Sequence, residues 1–114
     1  MVRLRAGSLR FPPMSTYENV TLETIANVYF GGACVSHTFY TADGARKSAG
    51  VILPAKLTFG TAAPEVMDIL TGSCTVILDG ETSTYAAGQS FSVPGESSFD
   101  IEVTEAVSYV CHYG

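Results

Sequence analysis

The apolar residues of this chain fall in short runs of about four to eight positions, and glycine, proline or aspartate bounds each run. Within several runs apolar and polar residues alternate, as in Phe91-Ser92-Val93, which is typical of half-buried β-strands. No window carries the apolar stripe at i, i+3, i+4 and i+7 that marks an amphipathic helix. The pattern therefore predicts an all-β fold with about nine short strands.

Short segments of two or three residues suited to tight turns separate these runs. They are Asp43-Gly44, Thr71-Gly72-Ser73, Asp79-Gly80 and Pro94-Gly95. Each supplies a residue that tolerates positive φ or a proline with a fixed φ, as a hairpin requires. Closely spaced strands joined in this way are antiparallel, which favours a sandwich or a jelly-roll barrel.

The first 14 residues differ in composition from the remainder of the chain. They contain three of the four arginines and no acidic residue, and they end in two prolines before Met14. We interpret residues 1–14 as an N-terminal extension, either disordered or lying ahead of a natural start at Met14; a basic targeting arm is the alternative. Residues 15–114 are expected to form one domain, because a chain of 114 residues can bury one core.

The predicted domain is strongly acidic, with three lysines and arginines against eleven aspartates and glutamates. This balance argues against binding to nucleic acid or to an acidic membrane surface, since both rely on clustered basic residues. No apolar run is long enough for a transmembrane helix or a secretory signal, so we expect a cytoplasmic protein. The three cysteines, Cys34, Cys74 and Cys111, are predicted to be reduced and partly buried thiols.

Two segments resemble the two conserved motifs of the cupin fold. They are GVILPAKLTFGTAAPEVMDILTG, from Gly50 to Gly72, and GQSFSVPGESSF, from Gly88 to Phe99. The resemblance implies a single cupin-like jelly-roll barrel, with Glu65 where cupins place their metal-binding glutamate. The histidines that accompany this glutamate are absent, since their places are filled from Thr58, Phe59, Gly60, Thr61 and Phe99.

We therefore expect a protein without a metal ion. A metal site would have to combine Glu65 with His37 or His112, which lie in separate predicted strands, and catalytic metals usually need three protein ligands. A hydrogen-bonded or surface position on a strand explains either histidine more simply. No serine, cysteine and histidine arrangement typical of a nucleophilic enzyme is recognisable.

A closer resemblance extends from about Tyr17 to Tyr113. It is carried by the segments ANVYFGGACVSHTF, GVILPAKLTFGTAAPEVMDILTGSCTVIL, GQSFSVPGESSF and SYVCHY. Together they resemble the pyrimidine/purine nucleoside phosphorylase family. The resemblance implies a homodimer that splits purine and pyrimidine nucleosides with inorganic phosphate into free base and pentose 1-phosphate, with phosphate as co-substrate and no cofactor. Where relatives often end in Cys-Arg-Tyr, this chain has Cys111-His112-Tyr113.

Phosphate binding requires cations or free backbone amides, and few basic residues are present. The family resemblance places an arginine at Arg46, and the small residues Ser48 and Gly50 would let backbone amides approach the anion. Lys47 is a second candidate. Both could instead be solvated charges of a hairpin.

Strand alternation puts Glu65 on the same face as Met67 and Ile69, and puts Asp68 on the other face. If the two apolar residues face the interior, Glu65 does too, where it could bind ribose hydroxyls or stabilise a cationic sugar. A position at the start of a strand beside Pro64 could also leave it in solvent. Asp68 is the rival carboxylate.

Broad base acceptance suits a pocket that stacks the base on aromatic surface. We predict Tyr40, Tyr109 and His112 around the base, while Phe91 and Phe99 fit ordinary core strands. Two other classes remain open at this point. A non-catalytic nucleoside- or sugar-binding cupin would bind ligand without phosphate-dependent turnover, and a purely structural dimer would bind no small molecule.

Overall fold

The computed structural model describes residues 16–114 and confirms the all-β prediction. Eleven strands are present: β1 (Thr21–Leu22), β2 (Asn27–Tyr29), β3 (Cys34–Tyr40), β4 (Arg46–Ile52), β5 (Ala55–Gly60), β6 (Glu65–Thr71), β7 (Ser73–Leu78), β8 (Glu81–Ala86), β9 (Ser90–Val93), β10 (Ser98–Val103) and β11 (Val107–Tyr113). The one helical element in this part of the chain is a 3-10 turn at Phe30–Gly32. The extension expected at residues 1–14 lies outside the described residues.

The predicted number of about nine strands was wrong. Residues 16–114 form eleven, and β1 and β2 contain only two and three residues. Alternation of apolar and polar residues is not recognisable over so short a run. These strands form because both pair antiparallel with β3, a tertiary contact that local sequence does not reveal.

The strands form two antiparallel sheets. The larger sheet has the order β1-β3-β4-β11-β6-β9, with β2 also paired to β3, and the smaller has the order β5-β10-β7-β8. The expectation of a closed barrel is not met, because β5 and β8 each pair with only one neighbour and so leave the smaller sheet with two edges. No described helix is long and apolar enough to cross a membrane.

The turns form where the sequence predicted them. The Asp79-Gly80 pair joins β7 to β8 with both residues at positive φ, 51° and 79°, as a two-residue hairpin turn requires. Gly72 joins β6 to β7 at φ 77°, and the Pro94-Gly95 segment connects β9 to β10. The turn chemistry therefore determines where most strands end.

The core lies between the inward faces of the two sheets. Its fully buried side chains include Ile52, Ile69 and Val107 from the larger sheet and Ile101 from the smaller. At about 25 cal/mol per Å² of apolar surface removed from water, such side chains supply most of the favourable free energy of folding. The three cysteines are free, as the sequence predicted, but they are fully buried and not partly buried.

Two details of the larger sheet position the candidate site. A β-bulge interrupts the pairing of β6 with β11, because Ser108 lies opposite Thr71 while Tyr109 lies opposite Ile69, so that Leu70 is the extra residue. Strand β11 runs antiparallel to its neighbours β4 and β6. The last residue of β11 therefore lies beside the first residues of β4 and β6, at one end of these strands.

Candidate functional site

A cavity of about 210 Å³ opens between the two sheets. Both sheets contribute to its wall, which is lined by Tyr29, Ser36, Arg46, Ile52, Phe59, Gly60, Glu65, Met67, Phe99, Tyr109, Cys111 and Tyr113. Three of the predicted site residues, Arg46, Glu65 and Tyr109, are in this set. The inward orientation of Glu65 with Met67 was expected from strand alternation.

The charged part of the cavity is built from strand ends. Arg46 begins β4, Glu65 begins β6 and Tyr113 ends β11. The guanidinium carbon of Arg46 lies 4.2 Å from the centroid of the Tyr113 ring, a cation–π arrangement. The Tyr113 hydroxyl is 2.9 Å from Oγ of Ser48, which fixes the ring beneath the guanidinium.

The carboxyl group of Glu65 is partly removed from water. Burial raises its pKa, and the hydrogen bond from the Cys111 thiol at 3.5 Å and the charge of Arg46 only partly oppose that effect. Burial and the neighbouring carboxylate in turn raise the pKa of Cys111 to about 12. The thiol therefore stays protonated and acts as a donor, not as a nucleophile.

Tyr109 forms part of the inner wall of the cavity and is 5% exposed. Its hydroxyl lies 3.4 Å from Sγ of Cys34. Burial raises the pKa of this phenol, so the hydroxyl is neutral and remains available only as a hydrogen-bonding group. The sequence predicted that Tyr109 contacts the base, and its place in the wall is compatible with that role.

Aromatic rings form the other part of the wall. Phe59 stacks on Phe99 with 5.7 Å between ring centroids, and Tyr29 meets Phe59 edge-on at 6.4 Å. Phe30 also packs edge-on against Phe59 at 5.2 Å. Tyr29 and Phe30 are about half exposed, so this aromatic wall reaches the protein surface. The name aromatic wall refers below to Tyr29, Phe59 and Phe99, the three of these residues that line the cavity.

Tyr29 and Phe59 line the cavity but were not predicted as site residues. A signal was present for Phe59, because Phe59, Gly60 and Phe99 stand among the positions where metal-binding cupins carry histidines, and all three line the cavity. Tyr29 carries no such signal, since it reaches the cavity through the pairing of β2 with β3.

Three other predicted residues lie together, but outside this cavity. Nζ of Lys47 is 2.8 Å from Nδ1 of His112, and Nε2 of His112 is 2.7 Å from Oδ2 of Asp68. Each of the three is next in sequence to a residue that lines the cavity. Because successive side chains of a strand point to opposite faces, the group lies on the opposite face of the larger sheet. We call Lys47, His112 and Asp68 the outer-face relay. Their direct contact with substrate stays a prediction.

Tyr40 does not line the cavity, although it lies opposite Arg46 in the pairing of β3 with β4. Its hydroxyl donates to Oε2 of Glu23 at 3.0 Å, and this hydrogen bond raises the pKa of the phenol. The role of Tyr40 at the base stays a prediction. The aromatic wall offers the surface that Tyr40 was expected to supply.

The predicted approach of phosphate to backbone amides at Ser48 and Gly50 is not supported by the pairing of β4. Strand β4 is paired with β3 on one side and with β11 on the other, so its amides are engaged in the two ladders. The small size of Gly50 has another explanation. An added Cβ would lie 2.3 Å from the carbonyl oxygen of Val35, so glycine permits the close approach of β3 and β4.

Neither histidine lies with Glu65 in a metal-binding arrangement. Nδ1 of His37 is 3.1 Å from the carbonyl oxygen of Glu23, and His112 belongs to the outer-face relay. Within residues 16–114, no group of three or more His, Cys, Asp or Glu side chains is arranged to hold a metal ion.

Comparison with known proteins gives a family match over most of the chain. The family model described as pyrimidine/purine nucleoside phosphorylase matches residues 24–113. Proteins of that name from Cupriavidus metallidurans and Nocardia farcinica are 60% and 58% identical to this chain over 103 residues, which is 89% of the chain and 100% of each relative.

Solved structures agree with this match. A protein of unknown function from Acinetobacter superposes with a TM-score of 0.84 at 50% identity, covering 87% of this chain and 98% of the other. One from Vibrio parahaemolyticus, also of unknown function, gives 0.76 at 41% identity, covering 82% and 99%. The family-model match and these relatives show that the chain belongs to the pyrimidine/purine nucleoside phosphorylase family.

Proposed function

We propose that this protein cleaves purine and pyrimidine nucleosides with inorganic phosphate, releasing the free base and pentose 1-phosphate without a cofactor. The family name points to this reaction. The structural observation that carries it is one cavity that combines a cation and a carboxyl group at strand ends with an aromatic wall. A nucleoside and phosphate together present the matching chemistry: an anion, a polar sugar and a flat base.

Arg46 binds the phosphate in this proposal. Its guanidinium carries fixed charge and several donors in one plane, a geometry that suits phosphate oxygens. Among the lysines and arginines of the described residues, only Arg46 lines the cavity. In a domain with so many acidic residues, this local positive charge is what makes the cavity attractive to a dianion.

Glu65 stabilises the positive charge that develops on the sugar in this proposal. As a phosphate oxygen bonds to C1′, the bond from C1′ to the base nitrogen breaks, and the base leaves with that electron pair and takes up the proton that hydrogen phosphate gives up. Positive charge develops on the sugar during this exchange. A carboxylate held beside it stabilises that charge more strongly than water would, because the site is partly buried.

The aromatic wall holds the base. Rings of Tyr29, Phe59 and Phe99 offer stacking surface, and every purine and pyrimidine has a flat face that can use it. Stacking does not read the hydrogen-bonding edge of a base, so a pocket of this kind accepts many bases. Broad acceptance of purine and pyrimidine nucleosides follows from this arrangement.

The remaining features of the proposal concern the whole molecule. We assign residues 15–114 to one cupin-like jelly-roll domain, in support of which two antiparallel sheets face each other across a single core. We also propose a homodimer, since Ile25, Val28 and Phe30 are at least half exposed and β2 has a free edge. A cytoplasmic enzyme that binds no nucleic acid and no membrane fits the acidic charge.

The test is base release from uridine, cytidine, adenosine and guanosine by metal-stripped protein, with and without phosphate. We expect release only with phosphate. Arg46→Ala should reduce it by roughly 100-fold or more, as expected when a charge-stabilising donor is lost. Lys56→Ala is the matched control, because it removes the same charge from an exposed position outside the cavity.

Absence of release from all four nucleosides would contradict the proposal. If the protein then still bound nucleoside in calorimetry, it would be a ligand-binding member of the fold. Equal losses in the Arg46 and Lys56 variants would contradict the assignment of phosphate to Arg46 alone.

A further inference from the structure

The outer-face relay joins the same three strands whose ends form the charged part of the cavity. Lys47 lies on β4, His112 on β11 and Asp68 on β6. On the inner face, these strands carry Arg46, Tyr113 and Glu65. Two sets of three residues therefore lie on opposite faces of the larger sheet, at the same end of three neighbouring strands.

Strand ends fray unless something holds them, because their outermost residues have fewer ladder hydrogen bonds. The pairing of β11 with β4 ends at His112 and Lys47, one position before Tyr113 and Arg46. The contact between Lys47 and His112 is thus the last cross-strand link behind the Arg46–Tyr113 pair. His112 extends this link to β6 through Asp68.

The hydrogen-bond directions within the relay are determined by chemistry. A lysine ammonium can only donate, so Nδ1 of His112 must accept from Lys47. The proton of the neutral ring is then on Nε2, which donates to the Asp68 carboxylate. The ring is fully satisfied in one tautomer and one orientation, and it is partly buried together with Asp68.

We propose that Lys47, His112 and Asp68 are positioning residues that hold Arg46 and Tyr113 in the geometry that binds phosphate. This role rests on the proposed function of the cavity and extends it to the reverse face of the sheet. It gives the three polar residues a function that does not require contact with substrate.

The first test measures binding of inorganic phosphate by calorimetry, without nucleoside, so that it does not depend on turnover. His112→Ala removes both links and should weaken phosphate binding by about tenfold, since small misplacements of a binding group have effects of this order or larger. His112→Gln should bind within about threefold of the wild type, because its amide can accept from Lys47 and donate to Asp68.

Val51→Ala is the matched control for loss of sheet stability. Val51 lies on the same face of β4, four residues from Lys47, and outside both the relay and the cavity wall. We expect it to lower the thermal midpoint but to leave phosphate affinity within about twofold of the wild type. If His112→Ala does not fold, Lys47→Met breaks the same link while keeping the ring, and its phosphate affinity should fall in the same direction.

A spectroscopic signature provides an independent test. Nitrogen chemical shifts of His112 should show the neutral ring protonated at Nε2, and the Nδ1-protonated form would overturn the proposal. Unchanged phosphate affinity in His112→Ala, or equal losses in the alanine and glutamine variants, would also overturn it. A protein with relay-dependent phosphate binding but no nucleoside cleavage would contradict the proposed function and leave the relay intact.

Discussion

The Cys111 thiol donates a hydrogen bond to Oε1 of Glu65 at 3.5 Å inside the cavity. Both groups have raised pKa values for the same main reason, which is burial away from water. The thiol remains protonated over the physiological range and supplies a weak donor to the carboxyl group. Burial therefore disfavours the charged form of Glu65 within the cavity.

Glu65→Gln should stabilise the protein at pH 7 while reducing its activity. Since the folded pKa of Glu65 is raised, its contribution to stability is fully present below the unfolded pKa and is lost as pH rises through the folded pKa. We therefore expect a higher thermal midpoint at pH 7, no gain near pH 4, and about a 100-fold loss of turnover.

Exposed Glu105, in the turn before β11, provides the matched control through Glu105→Gln. It makes the same change of charge outside the cavity and should leave turnover unchanged. An equal or lower midpoint of Glu65→Gln at pH 7 would show that burial of this carboxyl group is not unfavourable.

Tyr29→Ala should weaken nucleoside binding selectively. Loss of one stacking surface raises the KM for nucleosides by about tenfold, with a larger effect for purines, while the KM for phosphate stays within about twofold. Steady-state kinetics with uridine and guanosine would measure this. Tyr29→Phe keeps the ring and should behave as the wild type; a rise in the phosphate KM of Tyr29→Ala would contradict the separation of the two ends of the cavity.

Tyr109→Phe separates a structural role of the buried hydroxyl from a substrate contact. The hydroxyl is adjacent to the Cys34 thiol, so its removal should lower the free energy of unfolding by about 1 kcal/mol and leave both KM values nearly unchanged. Denaturant unfolding and steady-state kinetics measure these quantities. Unchanged stability with a raised nucleoside KM would instead support the direct base contact that the sequence predicted.

Gly50→Ala should be strongly destabilising. The added Cβ would lie 2.3 Å from the backbone oxygen of Val35 and 2.7 Å from Cβ of Ser36, so two paired strands must move apart. We expect a loss of about 1–3 kcal/mol or more in denaturant unfolding. Gly60→Ala is the control, because its nearest neighbour would be 3.9 Å away, and equal losses in both variants would contradict the argument.

Local sequence was sufficient to predict most strands, their turns and the inward face of β6. Turn residues with unusual φ preferences and a period of two both act over a few positions, so they can be recognised without knowledge of the fold. Strand alternation puts Glu65 on the same face as Met67 and Ile69, and this correctly predicted that the carboxyl group lies inside. The family resemblance, and not periodicity, directed attention to Arg46.

Contacts between distant strands could not be predicted in the same way. Tyr40 and Tyr29 are both tyrosines near strand ends, and only the pairing of β2 and β3 places Tyr29 at the cavity. Lys47, Asp68 and His112 were expected around the substrate as separate residues. Their hydrogen bonds to one another depend on the order of β4, β11 and β6, which alternation within single strands does not reveal.

The bulge at Leu70 decides which acid enters the cavity. Regular pairing continued from Thr71 and Ser108 would place Asp68 opposite Cys111, on the inner side, and would turn Glu65 outward. With one extra residue the choice is reversed, and Asp68 lies opposite Val110 on the outer side. This one-residue irregularity therefore separates the two carboxylates, with Glu65 in the cavity and Asp68 in the outer-face relay.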